Sequence, residues 1–149
     1  MDNIRIDLGI KKVLINDGPE FIEFNPSDVA FAEQFYQLMK EFELKRVEYQ
    51  ARADKIDAIT ELDPDGIPVN FPDKLAIMRE VCEFMREKID DLFGKGTSQK
   101  VFGDARTLNM FEQFITGITP YIRAERKKKI EKYVPSATSV KHRKHKVME

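Results

Sequence analysis

The first 25 residues alternate between apolar and polar positions, which is the period of a β-strand. The alternation gives three apolar runs, at residues 4–8, 13–15 and 21–24, which are separated by Gly9 and by the NDGP sequence of residues 16–19. This pattern predicts three short strands joined by tight turns. Because so small a sheet is marginal in water on its own, we expect helices to cover one of its faces.

The apolar period becomes helical after residue 26. Ser27 or Asp28 is the expected N-cap of a first helix that runs to about Ile59. The apolar face of its first half contains Ala32, Phe35, Tyr36, Met39 and Phe42. Among many charged residues, the second half continues this face only with Tyr49, Ala53 and Ile56. We expect the first half to pack in the core and the second half to project as a solvated face or, alternatively, as an arm that pairs with another copy.

A second helix is predicted for residues 73–93, after a turn-rich loop. The DPDG sequence of residues 63–66 lacks the Gly and Glu that a calcium loop needs at its sixth and twelfth positions, so it predicts a tight turn. Pro72 and Asp73 open the helix and Gly94 ends it. Its wide apolar face contains Ile77, Met78, Val81, Cys82, Met85, Ile89, Leu92 and Phe93. Since Cys82 lies within that face, we expect a buried, inert thiol.

A third long helix is predicted to begin near Leu108, with Thr107 as its N-cap. The connection before it, GKGTSQK at residues 94–100, lacks the residue order of a phosphate-binding loop. The apolar face of the helix contains Phe111, Phe114, Ile115, Ile118 and Ile122. Gly117 and Pro120 predict a kink or a break, beyond which the helix resumes over residues 123–133. We expect Phe102 and this helix to fold back onto the second helix.

The predicted fold class is α+β and mostly α. It comprises a short N-terminal antiparallel sheet of two or three strands, three to four helices, and a disordered basic C-terminal tail. Residues 1–134 are predicted as a single globular domain, with a β-rich start at 3–25 and a helical part at 27–133, and residues 135–149 as the tail. The charged fraction of 34% exceeds the ~25% typical of globular proteins, which favours long solvated helices.

Charge is distributed unevenly along the chain. Residues 123–149 contain ten Lys or Arg against three acids, a net charge of +7, whereas residues 1–122 contain 15 against 23, a net charge of −8. An acidic body with a basic end can bind an acidic partner, a nucleic acid or the body of a neighbouring copy. The basic segment comprises Arg123, Arg126, Lys127, Lys128, Lys129 and Lys132.

Candidate chemistry is sparse in this sequence. The single cysteine excludes an intramolecular disulfide, the start MDNIRIDLG lacks the features of a signal peptide, and no apolar run approaches the ~20 residues that span a bilayer. We therefore expect a soluble cytosolic protein without membrane contact. His142 and His145 lack nearby Cys or carboxylate ligands, and no catalytic arrangement or nucleotide loop is present. We expect no enzyme activity, no metal and no cofactor.

Part of the sequence resembles a known family. The resemblance is carried by VFGD at residues 101–104, a Met-Phe-x-x-Phe helix at 110–114, GITPYI at 117–122 and a basic segment that ends in EKY at 131–133. Together with EFNPSDVAFAEQFY at 23–36, these features resemble the small tail assembly chaperones of long-tailed bacteriophages. The resemblance implies a protein of the host cytoplasm, encoded upstream of the tape measure protein. Such a protein coats the tape measure protein, helps to recruit tail tube protein and is absent from the mature virion.

Seven apolar residues are the candidate surface for binding a client or for self-association: Met110, Phe111, Phe114, Ile118, Tyr121, Met78 and Met85. Methionine and phenylalanine suit an adaptable apolar groove. The alternative for most of them is membership of the intramolecular core. Two other functions stay open, namely a small nucleic-acid-binding accessory protein that acts through the basic segment, and a structural tail or neck subunit. The acidic body argues against nucleic acid.

Overall fold

A computed structural model of the protein describes the backbone of residues 1–133 and the side chains of residues 1–125. The described residues form two antiparallel strands followed by four helices. These elements are β1 Lys11–Leu14, β2 Phe21–Phe24, α1 Val29–Asp57, α2 Phe71–Phe93, α3 Thr97–Phe102 and α4 Leu108–Tyr133. The predicted α+β class, mostly helical with a short N-terminal sheet, is confirmed. The prediction of a disordered tail at 135–149 lies outside the described residues.

The two strands form a tight hairpin, as the sequence predicts. Asn16 and Asp17 have φ angles of 56° and 57°, which residues of these types tolerate at the two central positions of the β-turn that the Gly18 N–H closes on the Ile15 carbonyl at 3.1 Å. The hairpin closes where the Ile15 N–H donates to the Glu20 carbonyl at 2.9 Å. On one face of the sheet, Ile22 is buried and lies opposite Val13, which packs against the same core.

The predicted third strand at residues 4–8 does not form. Instead, this segment has no regular secondary structure and is solvent-exposed, with Ile4, Ile6 and Leu8 exposed at 86%, 74% and 62%. The reason lies just before β1, where Gly9 has a φ of +84° and the Leu8 carbonyl accepts a hydrogen bond from Asn25 Nδ2 at 2.7 Å. These interactions direct the chain towards the connection between β2 and α1 rather than back along β1.

Helix α1 begins as predicted, because the Asp28 side chain accepts a hydrogen bond from the Ala30 N–H at 3.0 Å. The buried face of its first half differs slightly from the predicted apolar face. Tyr36 is exposed, whereas Phe31 and Leu38 are buried together with Phe35. The buried positions are therefore spaced by three and four residues.

The second half of α1 packs against α2 and does not project, so that prediction is wrong. An ion pair joins Arg52 to Glu80 at 2.7 Å, and Lys45 Nζ lies 5.4 Å from the centre of the Phe84 ring. Lys45 and Arg52 continue the three-and-four spacing of Phe42 and Tyr49. Long basic side chains pack through their methylene stems while their charged ends stay in water. In the sequence, a packed helix face that contains such residues therefore has the polar pattern of a solvent-exposed face.

The loop between α1 and α2 contains the predicted tight turn. Asp63 Oδ1 accepts hydrogen bonds from the N–H groups of Asp65 and Ile67, each at 2.9 Å. Asn70 Nδ2 donates to the carbonyls of Ile56 and Ile59, each at 3.0 Å, and so ties the start of α2 to the end of α1. The two helices thus form an antiparallel hairpin.

Helix α3 was not predicted, because its six residues are too few to show a period. It follows the end of α2 at Gly94, which has a φ of +115°, and the Ser98 N–H donates to Asp90 Oδ1 at 2.7 Å. The predicted fold-back of the chain is confirmed. Ring centroids are 4.9 Å apart for Phe102 and Phe111, and 5.2 Å apart for Phe93 and Phe114.

Helix α4 begins at Leu108, as predicted, and continues through Pro120 to Tyr133. Of the predicted kink or break at this position, the break is therefore wrong. Proline removes one backbone hydrogen bond, here the one to the Thr116 carbonyl. Thr116 is on the exposed side of the helix, where water can replace the missing donor. Burial of Ile118 and Ile122 on the opposite side holds the helix in place across this position.

A hydrophobic core joins the sheet to α1, α2 and α4. Its buried residues are Ile22, Phe24, Phe31, Phe35, Cys82, Ile89, Phe111, Phe114, Ile115, Ile118 and Ile122. Within residues 1–133, no helix is long and apolar enough to cross a membrane.

The predicted burial of Cys82 is confirmed, since its side chain is only 1% exposed. Burial raises the pKa of the thiol above its ordinary value, and the nearby Glu83 carboxylate adds to the shift. At pH 8 we expect Ellman's reagent to react with the folded protein at least about tenfold more slowly than with the denatured protein. Free glutathione serves as the exposed control. Because the unfolded thiol ionises at a lower pH than the folded one, this residue also lowers stability above about pH 8.5.

Candidate functional site

Two apolar clefts lie along α4. The larger one, which we call the helix groove, has a volume of about 790 Å³ and is bounded by α1, α2 and the first half of α4. Its lining residues with apolar side chains are Met39, Phe42, Tyr49, Ala53, Ile77, Met78, Val81, Phe84, Met85, Leu108, Phe111 and Ile115. Along α1 the groove extends from Met39 to Asp57, which corresponds to about 27 Å of helix.

The base of the helix groove is formed by buried aromatic residues and its wall by methionines. Phe111 and Tyr49 are buried, and burial, reinforced by the Glu80 carboxylate, raises the pKa of the Tyr49 hydroxyl. The side chains of Met39, Met78 and Met85 lie along the wall, and Met78 is exposed at 42%. Unbranched methionine side chains can repack around different apolar shapes. The groove therefore offers an apolar surface that can adjust to a partner.

The charged residues at the rim of the helix groove largely neutralise one another. Glu43 and Arg46 are joined at 2.6 Å, and hydrogen bonding to this guanidinium lowers the pKa of the Glu43 carboxyl. Asp57 forms an ion pair with Lys74. The remaining charged lining residues, Lys45 and Glu112, are opposite in sign. With three acids and three bases, the rim produces no strong field of either sign.

The smaller cleft, which we call the edge cleft, has a volume of about 410 Å³. It lies between β1, the segment around α3 and the opposite side of α4. Its lining residues are Val13, Leu14, Ile15, Asn16, Val101, Phe102, Ala105, Thr107, Met110, Gln113, Phe114, Gly117, Ile118 and Tyr121. A Cβ atom placed on Gly117 would have no heavy atom within 4 Å outside its own helix, so the absence of a side chain there keeps the cleft open.

The seven candidate surface residues are divided between these clefts. Three of them line the helix groove, namely Met78, Met85 and Phe111. The other four line the edge cleft, namely Met110, Phe114, Ile118 and Tyr121.

The candidate residues also differ in burial. Phe111, Phe114 and Ile118 are core residues, as the alternative interpretation expects for most of the set. Met78 and Tyr121 are exposed. In the basic segment Arg123 is exposed, whereas the side chains of Arg126, Lys127, Lys128, Lys129 and Lys132 lie outside the described residues.

Two residues that shape these clefts were missed by sequence reasoning. Gly117 was interpreted only as a helix breaker. Arg86 was not considered, yet it is buried and donates hydrogen bonds to the carbonyls of Ala105 at 3.0 Å and Gly103 at 2.7 Å, and to Gln99 Oε1 at 3.1 Å. A charged residue within an otherwise apolar helix face is the signal that could have identified it.

The geometry suits binding through apolar contact. Among the described residues, no group of three or more His, Cys, Asp or Glu side chains is arranged to hold a metal ion. The raised pKa of the Cys82 thiol makes it a poor nucleophile. What the described surface offers instead is two apolar clefts, one of them long enough for a partner helix.

These features define a small, mostly helical α+β protein with an open apolar groove. The chain belongs to a family of unknown function, DUF6673, whose model matches residues 17–146. No curated protein and no solved structure matches the chain. The matched range includes the helix groove and the α4 side of the edge cleft, and it leaves out the exposed segment at residues 4–8.

Proposed function

We propose that this protein is a chaperone that binds an amphipathic helix of a client in the helix groove. The observation that carries the proposal is the long apolar groove itself, lined by three methionines and a buried phenylalanine. We further propose, on the resemblance to tail assembly chaperones, that the client is a phage tape measure protein. The protein then acts in the host cytoplasm, helps to recruit tail tube protein, and leaves before the virion is complete.

The arrangement of the helices favours a helical client. Helices α1 and α4 each contact α2, and the helix groove occupies the space between them. In four-helix bundles, the apolar faces of four helices are buried against one another. Here α1, α2 and α4 surround an open groove, so the position of a fourth helix is available to a partner. A helix in that position would bury its apolar face against the methionines, as amphipathic helices do in other grooves.

The neutral rim favours an apolar client over a charged one. With its ion pairs already formed within the protein, the rim offers little net charge to a phosphate backbone. Binding in the helix groove should therefore depend weakly on salt. Binding of nucleic acid by the basic segment would weaken steeply as salt rises, because each neutralised phosphate releases counterions. The dependence on salt thus separates the two functions.

The proposal is tested by co-expressing the protein with the tape measure protein that the resemblance implies is encoded downstream. We expect a soluble complex in which the Met78→Glu variant retains at least about tenfold less client than the wild type, since a charge would enter the apolar wall. Leu75→Glu is the matched control, because Leu75 lies one turn earlier in α2, is exposed at 49% and does not line the groove. Met78→Leu should keep the client.

Thermal unfolding of each variant checks that the fold is intact. A client that stays insoluble beside the wild-type protein would contradict the proposal, as would equal loss of the client in the Met78→Glu and Leu75→Glu variants. Copurified nucleic acid that is removed between 50 and 500 mM salt would favour the nucleic-acid-binding alternative. Recovery of the protein in purified virions would favour a structural tail or neck subunit.

A further inference from the structure

The outer edge of β1 has the geometry of a strand that lacks a neighbour. In an antiparallel pair, alternate residues direct their N–H and C=O groups towards the partner strand and away from it. Because the Ile15 N–H donates to the carbonyl of Glu20, the residue just before β2, the alternate residues Lys12 and Leu14 direct their backbone groups away from β2. Among the described residues, the sheet consists of β1 and β2 alone, so nothing pairs with this edge.

The edge cleft lies directly beside this unpaired edge. Four consecutive residues, 13–16, line it on one side and no residue of β2 does. The opposite wall is α4, where Gly117 leaves room and Phe114 and Ile118 form an apolar surface. A strand added to β1 would therefore direct every second side chain into the edge cleft.

The chain contains a segment that matches this position. Residues 4–8 alternate strictly, with Ile4, Ile6 and Leu8 on one side of an extended chain and Arg5 and Asp7 on the other. The segment belongs to no helix or strand of its own chain, and its three apolar side chains are more than half exposed. It has five residues, against four in β1.

The segment is held away from the β1 edge of its own chain. Adding a Cβ to Gly9 would place it in contact with the Ser27 side chain, which shows how closely residue 9 approaches the connection between β2 and α1. The hydrogen bond from Asn25 to the Leu8 carbonyl fastens the segment on that side. Pairing within one chain would require this hydrogen bond to break and the chain to reverse at Gly9.

We propose that residues 4–8 of one copy add a third strand to the outer edge of β1 in a second copy. Ile4, Ile6 and Leu8 then fill the edge cleft over Gly117, while Arg5 and Asp7 face solvent. The exchange satisfies the outward backbone groups of β1 and buries the apolar side of the segment. Reciprocal exchange gives a closed dimer, and exchange in one direction gives an open chain of copies. This assembly does not depend on a client.

Sedimentation velocity over a range of concentrations tests the exchange with two variants that leave the monomer core intact. Gly117→Leu fills the edge cleft and places a better helix former in α4, and Ile6→Asp puts a charge on the apolar side of the segment. Each is expected to raise the dissociation constant of self-association at least about tenfold. Arg5→Ser, on the solvent side of the same segment, is the control that should associate like the wild type.

Cross-linking identifies which chain supplies the strand. A copy with Ile6→Cys is mixed with a copy with Gly117→Cys under mild oxidation, and the expected product is a disulfide-linked pair of different chains. Arg5→Cys replaces Ile6→Cys in the control and should give at least about tenfold less product, because residue 5 faces away. Cys82 is too buried to interfere. A wild-type protein that stays monomeric at all concentrations, or a disulfide that forms only within one doubly substituted chain, would overturn the proposal.

Discussion

Replacing Phe111 with alanine is expected to lower the free energy of unfolding by about 3–5 kcal/mol. The Phe111 side chain is 1% exposed, packs 4.9 Å from the Phe102 ring and forms the base of the helix groove. Its removal leaves a cavity where α2, α3 and α4 meet. Urea denaturation followed by circular dichroism measures the change. Phe21→Ala is the control, since the ring of Phe21 is partly exposed and its loss should cost about 1 kcal/mol or less.

The same substitution separates the two interpretations of the α4 face. If Phe111 is a core residue, the Phe111→Ala variant loses stability, and client binding in the helix groove decreases because the fold is weakened. A folded Phe111→Ala variant with unchanged stability and a lost client would instead make Phe111 an interface residue and contradict the expected result. Substituting Phe111 and Phe114 together by serine should unfold the protein, because both rings are buried in one cluster.

The sequence was sufficient to predict the helices that have many apolar residues on one face. Helix α2 is an example, since its apolar face, its opening proline and its terminal glycine all point to the same element. The pattern of apolar residues did not predict helix packing where the contacts are made by polar side chains. Lys45 and Arg52 occupy packed positions of α1 through their stems and their partners on α2, and a pattern that counts only apolar residues interprets them as solvent-exposed.

A break at Pro120 and a strand at residues 4–8 do not form, because tertiary contacts outweigh the local preference at each position. Pro120 normally ends a helix, yet burial of Ile118 and Ile122 keeps α4 continuous and leaves the unpaired carbonyl on the exposed side. The alternation at residues 4–8 is typical of a strand, but the alternation alone cannot tell which edge such a strand pairs with, and in this chain the strand does not form. As a result, Ile4 and Ile6, which a paired strand would bury on one face, are exposed in this chain.

The candidate site was predictable in composition but not in shape. The sequence identified Met78, Met85 and Phe111 as members of an apolar set, and the structure shows that they line one groove. It could not show that Tyr121 lines a different cleft on the other side of α4. The reason is that a cleft depends on how its walls pack in three dimensions, and the edge cleft is open at Gly117, where an added Cβ would meet no heavy atom within 4 Å outside its own helix.

Replacing Arg86 with methionine is expected to lower the free energy of unfolding by about 2–4 kcal/mol, although methionine has a similar length. The buried guanidinium donates to the carbonyls of Ala105 and Gly103 and to the side chain of Gln99, so it fastens the α3 segment to α2. Methionine leaves those partly buried acceptors without a donor from α2. Lysine carries the charge but lacks the planar fork that reaches several acceptors at once, so Arg86→Lys should recover only part of the loss.

Hydrogen exchange identifies where the Arg86 effect acts. In Arg86→Met the amides of residues 97–105 should exchange faster, because that segment loses its attachment, while the amides of the α1–α2 hairpin change less. Arg79→Met is the control, since Arg79 is exposed on the same helix and its loss should change stability by about 0.5 kcal/mol or less. Equal effects of the Arg86 and Arg79 substitutions would contradict the structural role of Arg86. Because residues 101, 102 and 105 also line the edge cleft, loosening this segment should weaken self-association as well.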